Sequence, residues 1–197
     1  MKYIVHRVNN SSLLKQIPKE YGVELDLRDY ENELVLQHDP FKSGEKFEKY
    51  LECYNHSFMI LNIKSEGIET RVSGLLKKYN IKKYFFLDSS IPMIIKLIKN
   101  GEKNIAVRFS EYEKINTVLS FSGKVNWVWV DCFEKIPLDN KTFQKFKEKK
   151  FKLCFVSPDL QNQKEKISAY KKQLEESQIF FDAICVKYSN LNFWKTN

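Results

Sequence analysis

The sequence is short of the residues that break or staple chains. It has six glycines and five prolines in 197 residues, with no Gly-rich or Pro-rich stretch to act as a linker, so one domain over residues 1–197 is expected. Its four cysteines (Cys53, Cys132, Cys154, Cys185) form no C-x-x-C pair. This excludes a zinc ribbon and a thioredoxin-type motif, and the four are read as buried thiols of a reducing cytoplasm. No apolar run approaches the roughly 18–20 residues of a membrane span, and the apolar part of MKYIVHRV is too short for a signal peptide. Acid is the scarcer charge: 25 Asp and Glu stand against 33 Lys and Arg, a net +8. The lysines fall on segments such as KFKEKKFK and read as solvated. No basic run alternates with exposed aromatics and no nucleic-acid motif is present, so nucleic acid is not an expected partner.

What is present is an alternation. Short β-branched or aromatic runs occur at residues 3–7, 22–28, 58–64, 83–88, 105–110, 125–132, 152–158 and 182–188, as strands require. Between most of them lie stretches with apolar residues at helical spacing, among them FEKYLECY, PMIIKLIK and ISAYKKQLEE. Ser89-Ser90 before Pro92 and Asp139-Asn140 suit helix starts. Eight strands with intervening helices predict a compact (β/α)8 TIM barrel. LVLQHD, after the turn-like DYENE, is read as an extra hairpin strand after strand 2. The first link has room only for a short helix, and nine residues after the last run leave the final helix truncated or missing. An open doubly wound sheet is the alternative, and it lacks a Gly-rich phosphate fingerprint.

In a barrel, alternate residues point inward, and active sites gather where that face reaches the C-terminal strand ends. The inward face is read as His6, Glu24 and Asp26, Asn62 and Lys64, Asp88, Arg108 and Ser110, Trp129 and Asp131, Ser157, and Lys187. Upstream lie Ile4, Ile60, Phe86, Ala106, Trp127, Phe155 and Cys185. Strand ends are often polar because they meet water, which accounts for one such residue per strand but not for Glu24 with Asp26. Two buried carboxylates need a cation. Internal ion pairs with Lys64 and Arg108 are one answer, and a hard divalent metal is the other.

His6-Arg7 ending the first strand, Glu24-Leu25-Asp26 the second, His38-Asp39-Pro40 the hairpin and Asn62-Ile63-Lys64 the third together resemble the glycerophosphodiester phosphodiesterase family. The wider relatives are the phosphatidylinositol-specific phospholipase C-like phosphodiesterases. The resemblance implies one Mg²⁺ or Ca²⁺ on Glu24, Asp26 and Asn62, with His6 and His38 as general base and acid in unassigned order. It implies that Lys64 and Arg7 hold phosphate charge, with Arg108 and Lys187 as weaker phosphate-binding candidates. Two positions depart from the family pattern. Val8 follows Arg7 where a glycine is usual, so the loop after strand one is expected to differ. Asn62 stands in place of a third acid. The expected protein is a cytoplasmic, metal-dependent hydrolase of a small phosphodiester, with a homodimer in view. The alternative is an inactive barrel that binds a phosphorylated ligand or a protein.

Overall fold

The computed structural model describes residues 1–195. Its strands are β1 (Lys2–Val5), β2 (Gly22–Tyr30), β3 (Glu33–Leu36), β4 (Glu45–Lys46), β5 (Met59–Ile63), β6 (Tyr84–Leu87), β7 (Ala106–Phe109), β8 (Trp127–Val130), β9 (Lys152–Val156) and β10 (Ala183–Val186). The helices are α1 (Ser11–Leu14), α2 (Phe47–Cys53), α3 (Glu69–Lys78), α4 (Ile91–Lys99), α5 (Ile115–Leu119), α6 (Asn140–Glu148), α7 (Ile167–Glu176) and α8 (Leu191–Trp194). β1 pairs in parallel with β2 and β10, β2 with β5, β5 with β6, and β7 through β10 pair in succession. A parallel bridge from Phe86 to Ile105 joins β6 to the residue before β7, and the ring of eight parallel strands returns on itself. The short first and last helices, four residues each, agree with the expected economies.

Local chemistry sets the helix starts. Asn10, Ser90 and Asp139 each accept a hydrogen bond from the backbone N–H three residues on, a cap that stabilises by about 1 kcal/mol. The strands are buried on both faces, so two apolar layers form. Inside the barrel lie Ile4, Phe58, Ile60, Phe85, Leu87, Trp127, Trp129, Cys154 and Cys185. Phe58, Phe85 and Trp127 pack ring on ring at 4.9–5.7 Å and close the lower end. The other strand faces pack under the helices.

The structure corrects the inward face at two strands. Phe85 and Leu87 of β6 point in and Phe86 points out, and Cys154 and Val156 of β9 point in and Phe155 points out. Where both faces of a strand are buried, every position is apolar and parity leaves no mark on the sequence. Ser157 is accordingly no rim residue: it is fully buried and accepts a hydrogen bond from Trp194 Nε1. Cys53 is exposed, whereas the other three thiols are buried.

The hairpin is as expected in place and shorter in extent. β2 runs past the barrel and turns at Glu31 and Asn32, both left-handed (φ 48 and 65). Two such residues match the right-handed twist of the flanking strands. β3 returns antiparallel to β2 and ends at Leu36, so Gln37-His38-Asp39 form a loop rather than strand. That loop doubles back at Gly44, where a Cβ would collide with the Leu36 carbonyl oxygen.

Candidate active site

The C-terminal end of β1 begins the site. Parity carries Ile4 and then His6 inward, after which Arg7 turns left-handed (φ 56). That conformation costs a non-glycine residue about 1–2 kcal/mol. Here it aims the Arg7 backbone N–H at Glu24 Oε2, 2.7 Å away. Val8 is fully buried and donates its own N–H to the Glu24 carbonyl at 2.8 Å. The left-handed step therefore falls on Arg7, and residue 8 has no need of glycine's freedom.

Glu24 and Asp26 are both fully buried on the inner face of β2. Asn62, the register partner of Asp26 on β5, donates its Nδ2 to Glu24 Oε1 at 2.9 Å. Asp26 Oδ2 accepts from Asn9 Nδ2 at 2.8 Å and lies 3.7 Å from Arg7 Nε. Asn9 Oδ1 accepts the Asp26 backbone N–H in return. Lys64 Nζ stands 3.7 Å from Asp26 Oδ1 and 3.5 Å from Asp88 Oδ2. Burial first, and Asp26 second, push the Glu24 carboxyl up to about 7.

His6 Nε2 approaches Glu24 Oε2 to 3.7 Å, too far for a hydrogen bond. Burial, then the charges of Arg7, Lys187, Lys64 and His38, push the imidazole down to about 3. It is neutral near pH 7, so its approach to Glu24 is not an ion pair. His38 Nδ1 meets Asp39 Oδ1 at 2.9 Å, and this contact, with Lys42, holds the Asp39 carboxyl down at about 2. Arg28, two residues beyond Asp26 on the same face, donates to the His38 carbonyl at 3.1 Å and fixes the loop above the mouth.

The opposite half of the mouth is arranged differently. Arg108 binds both Asp88 and Asp131, and Gln161 donates to Asp131 at 2.9 Å. Continuing β6 straight would aim Asp88 outward with Phe86, but its left-handed backbone (φ 60) brings the carboxylate to Lys64 and Arg108. Arg108 is thus engaged by two acids. Lys187 donates its N–H to Asp159 Oδ2, and its Nζ lies 3.4 Å from Asn162 Oδ1. Trp129 packs against Phe85 inside the barrel, and His56 contacts the Ile17 carbonyl through Nε2, away from the mouth.

Among the described residues, no three His, Cys, Asp or Glu side chains gather to hold a metal ion. The third place beside Glu24 and Asp26 is the Asn62 amide. Two buried oxygens there, Asp26 Oδ1 and Asn62 Oδ1, accept no hydrogen bond. Orphaned oxygens on register-paired residues, next to a second carboxylate, suit a hard cation.

Sequence reasoning brought His6, Arg7, Glu24, Asp26, Asn62 and Lys64 to one place, with His38 above them. It did not find Asn9 or Arg28. Arg28 carried a signal, since it continues the parity of Glu24 and Asp26. Asn9 carried none.

An eight-stranded parallel barrel with polar groups collected at the C-terminal strand ends defines the class of fold. No family model matches the sequence, and neither does any curated protein. Solved structures do match. The chain is similar to a glycerophosphodiester phosphodiesterase from Agrobacterium tumefaciens str. C58, at 11% identity and TM-score 0.67, covering 98% of this chain and 99% of that one. It is also similar to a glycerophosphoryl diester phosphodiesterase from Parabacteroides distasonis ATCC 8503, at 11% identity and TM-score 0.64, covering 96% and 84%. The chain shares the fold of these solved structures.

Proposed function

We propose that the protein is a metal-dependent phosphodiesterase acting on a small glycerophosphodiester-like or sugar-phosphate diester. The supporting observation is the convergence of a neutral histidine, two buried carboxylates and two cations at the C-terminal barrel mouth. Glu24, Asp26 and Asn62 would hold one Mg²⁺ or Ca²⁺. Bound there, the ion supplies neutralisation of charge on a nonbridging phosphate oxygen.

The side chains divide the remaining work. Arg7 and Lys64 flank the acids and offer their free donor positions to the phosphate. His6, held neutral, accepts the proton of the attacking hydroxyl or water. That leaves His38 to protonate the departing alkoxide. Asp39 occupies its Nδ1, so Nε2 is the nitrogen turned to the substrate. A neighbouring hydroxyl of the substrate as nucleophile gives a cyclic phosphate first. Arg108 serves the walls of the site, since two carboxylates already hold it.

One observation favours a second reading, a silent barrel that only binds a phosphorylated ligand: Asn62 turns its nitrogen, not its oxygen, to Glu24. Hydrolysis of bis(p-nitrophenyl) phosphate with Mg²⁺ or Ca²⁺, with and without chelator, separates the two. Metal-dependent turnover lost in His38→Ala supports the enzyme. No cation uptake and no turnover across a panel of diesters selects the binding barrel.

A further inference from the structure

The net charge is unevenly placed. The segments that lead into the barrel strands (15–21, 54–58, 79–83, 100–105, 120–126, 149–151, 177–182) hold eight lysines and three acids. At the catalytic end acids outnumber bases. Lys2, Lys82, Lys83, Lys103, Lys150 and Lys152 are all exposed, and among the described residues none of the six takes part in an ion pair. Four of them, Lys2, Lys82, Lys83 and Lys152, line a cavity of about 500 Å³ floored by Phe58 and Trp127. Its only acid, Asp182, accepts from Lys147 and from the Leu153 backbone.

Two large apolar side chains stand at the same end. Met1 is 62% exposed and Phe180 67%. Both precede the paired strands β1 and β10: Met1 leads into β1, and Phe180 lies two residues before Asp182, whose carbonyl accepts the Lys2 backbone N–H at 2.9 Å. Phe180 is held out by the fold, since Ile179 and Phe181 on either side are buried.

We propose that the N-terminal end of the barrel docks on an anionic lipid bilayer, with Met1 and Phe180 entering the headgroup layer beside a field of lysines. An apolar tip combined with several lysines is the two-signal arrangement that reversible membrane attachment needs. The chemistry favours a bilayer over nucleic acid. The chain's four arginines (Arg7, Arg28, Arg71, Arg108) stand toward the other end. Arginine, with its planar fork, is the residue of choice for nucleic-acid recognition, whereas clustered lysines suffice for attraction to the diffuse negative surface of an anionic leaflet. Docked this way, the catalytic mouth faces water, and its substrate arrives from solution rather than from the bilayer.

The test is co-sedimentation of the whole chain with phosphatidylcholine vesicles, with and without phosphatidylserine. Binding is expected only with phosphatidylserine and is weakened by salt. Lys82→Glu with Lys83→Glu should weaken it at least about tenfold, and Phe180→Ser should weaken it as well. The control pair Lys114→Glu with Lys135→Glu, which makes the same charge change at the catalytic end, should bind like the wild type. The proposal is overturned if anionic vesicles are not bound, or if the Lys82/Lys83 variant binds as well as the wild type. It is equally overturned if the same lysines retain RNA while vesicles are ignored.

Discussion

Asn62 donates its side-chain amide to Glu24 across the β2–β5 pair at 2.9 Å, and its oxygen is left without a donor. Replacing it by Glu puts a third buried carboxylate among groups already crowded with acid. Without metal, Asn62→Glu should lower stability, by about 1–3 kcal/mol for the lost hydrogen bond. Mg²⁺ or Ca²⁺ should then raise its melting temperature more than that of the wild type. Differential scanning fluorimetry across a cation series checks this. An equal shift in both proteins sinks the assignment of position 62 to the metal.

His38→Ala should lower turnover by a factor of about 10²–10⁴, the usual share of a general acid, with the fold intact because the ring is partly exposed. It also releases Asp39. In the wild type the Asp39 carboxyl should titrate near about 2, and in the variant its midpoint should rise toward the ordinary value. Carboxyl-carbon NMR reads both.

Glu24 and His6 give stability opposite dependences on pH. The carboxyl of Glu24 is raised from 4.5 to about 7. The folded state therefore holds that proton more firmly, and stability falls as pH rises from the ordinary value through about 7. His6 is lowered from 6.5 to about 3, so the folded state resists protonation and stability rises with pH across that interval. The two overlap and offset in the wild type. In chelator, Glu24→Gln should uncover the rise and His6→Ala the fall, as melting temperature against pH.

Asn9→Ala removes both partners of the exchange with Asp26, leaving the Asp26 N–H and Oδ2 short of a hydrogen bond. A stability loss of about 1–3 kcal/mol is expected. KM for a diester should change along with it, because Asp26 is no longer held in place. Chemical denaturation and steady-state kinetics measure the pair, and an unchanged KM would limit Asn9 to a structural part.

Much of this was legible in the chain. Glu24, Asp26 and Arg28 on β2, Asn62 and Lys64 at the end of β5, and Lys187 just past β10 could be read because they interrupt or end apolar runs. On β6 and β9 the runs Phe85-Phe86-Leu87 and Leu153-Cys154-Phe155-Val156 are apolar throughout, and only packing decides which side turns in. The engagement of Arg108 by two acids was also hidden. It depends on the left-handed turn at Asp88, in a residue type that adopts αL more readily than most yet announces nothing in sequence.

The chain of contacts from Lys64 through Asp88, Arg108 and Asp131 to Gln161 runs part-way round the barrel rim like a hoop. Each carboxylate in it meets a cation and each cation meets two carboxylates, so this side of the rim neutralises its own charge. The two halves of the opening differ in kind: the arc of β1, β2 and β5 keeps buried oxygens without a donor, whereas the arc from β6 to β8, with the loop after β9, pairs its charges among themselves.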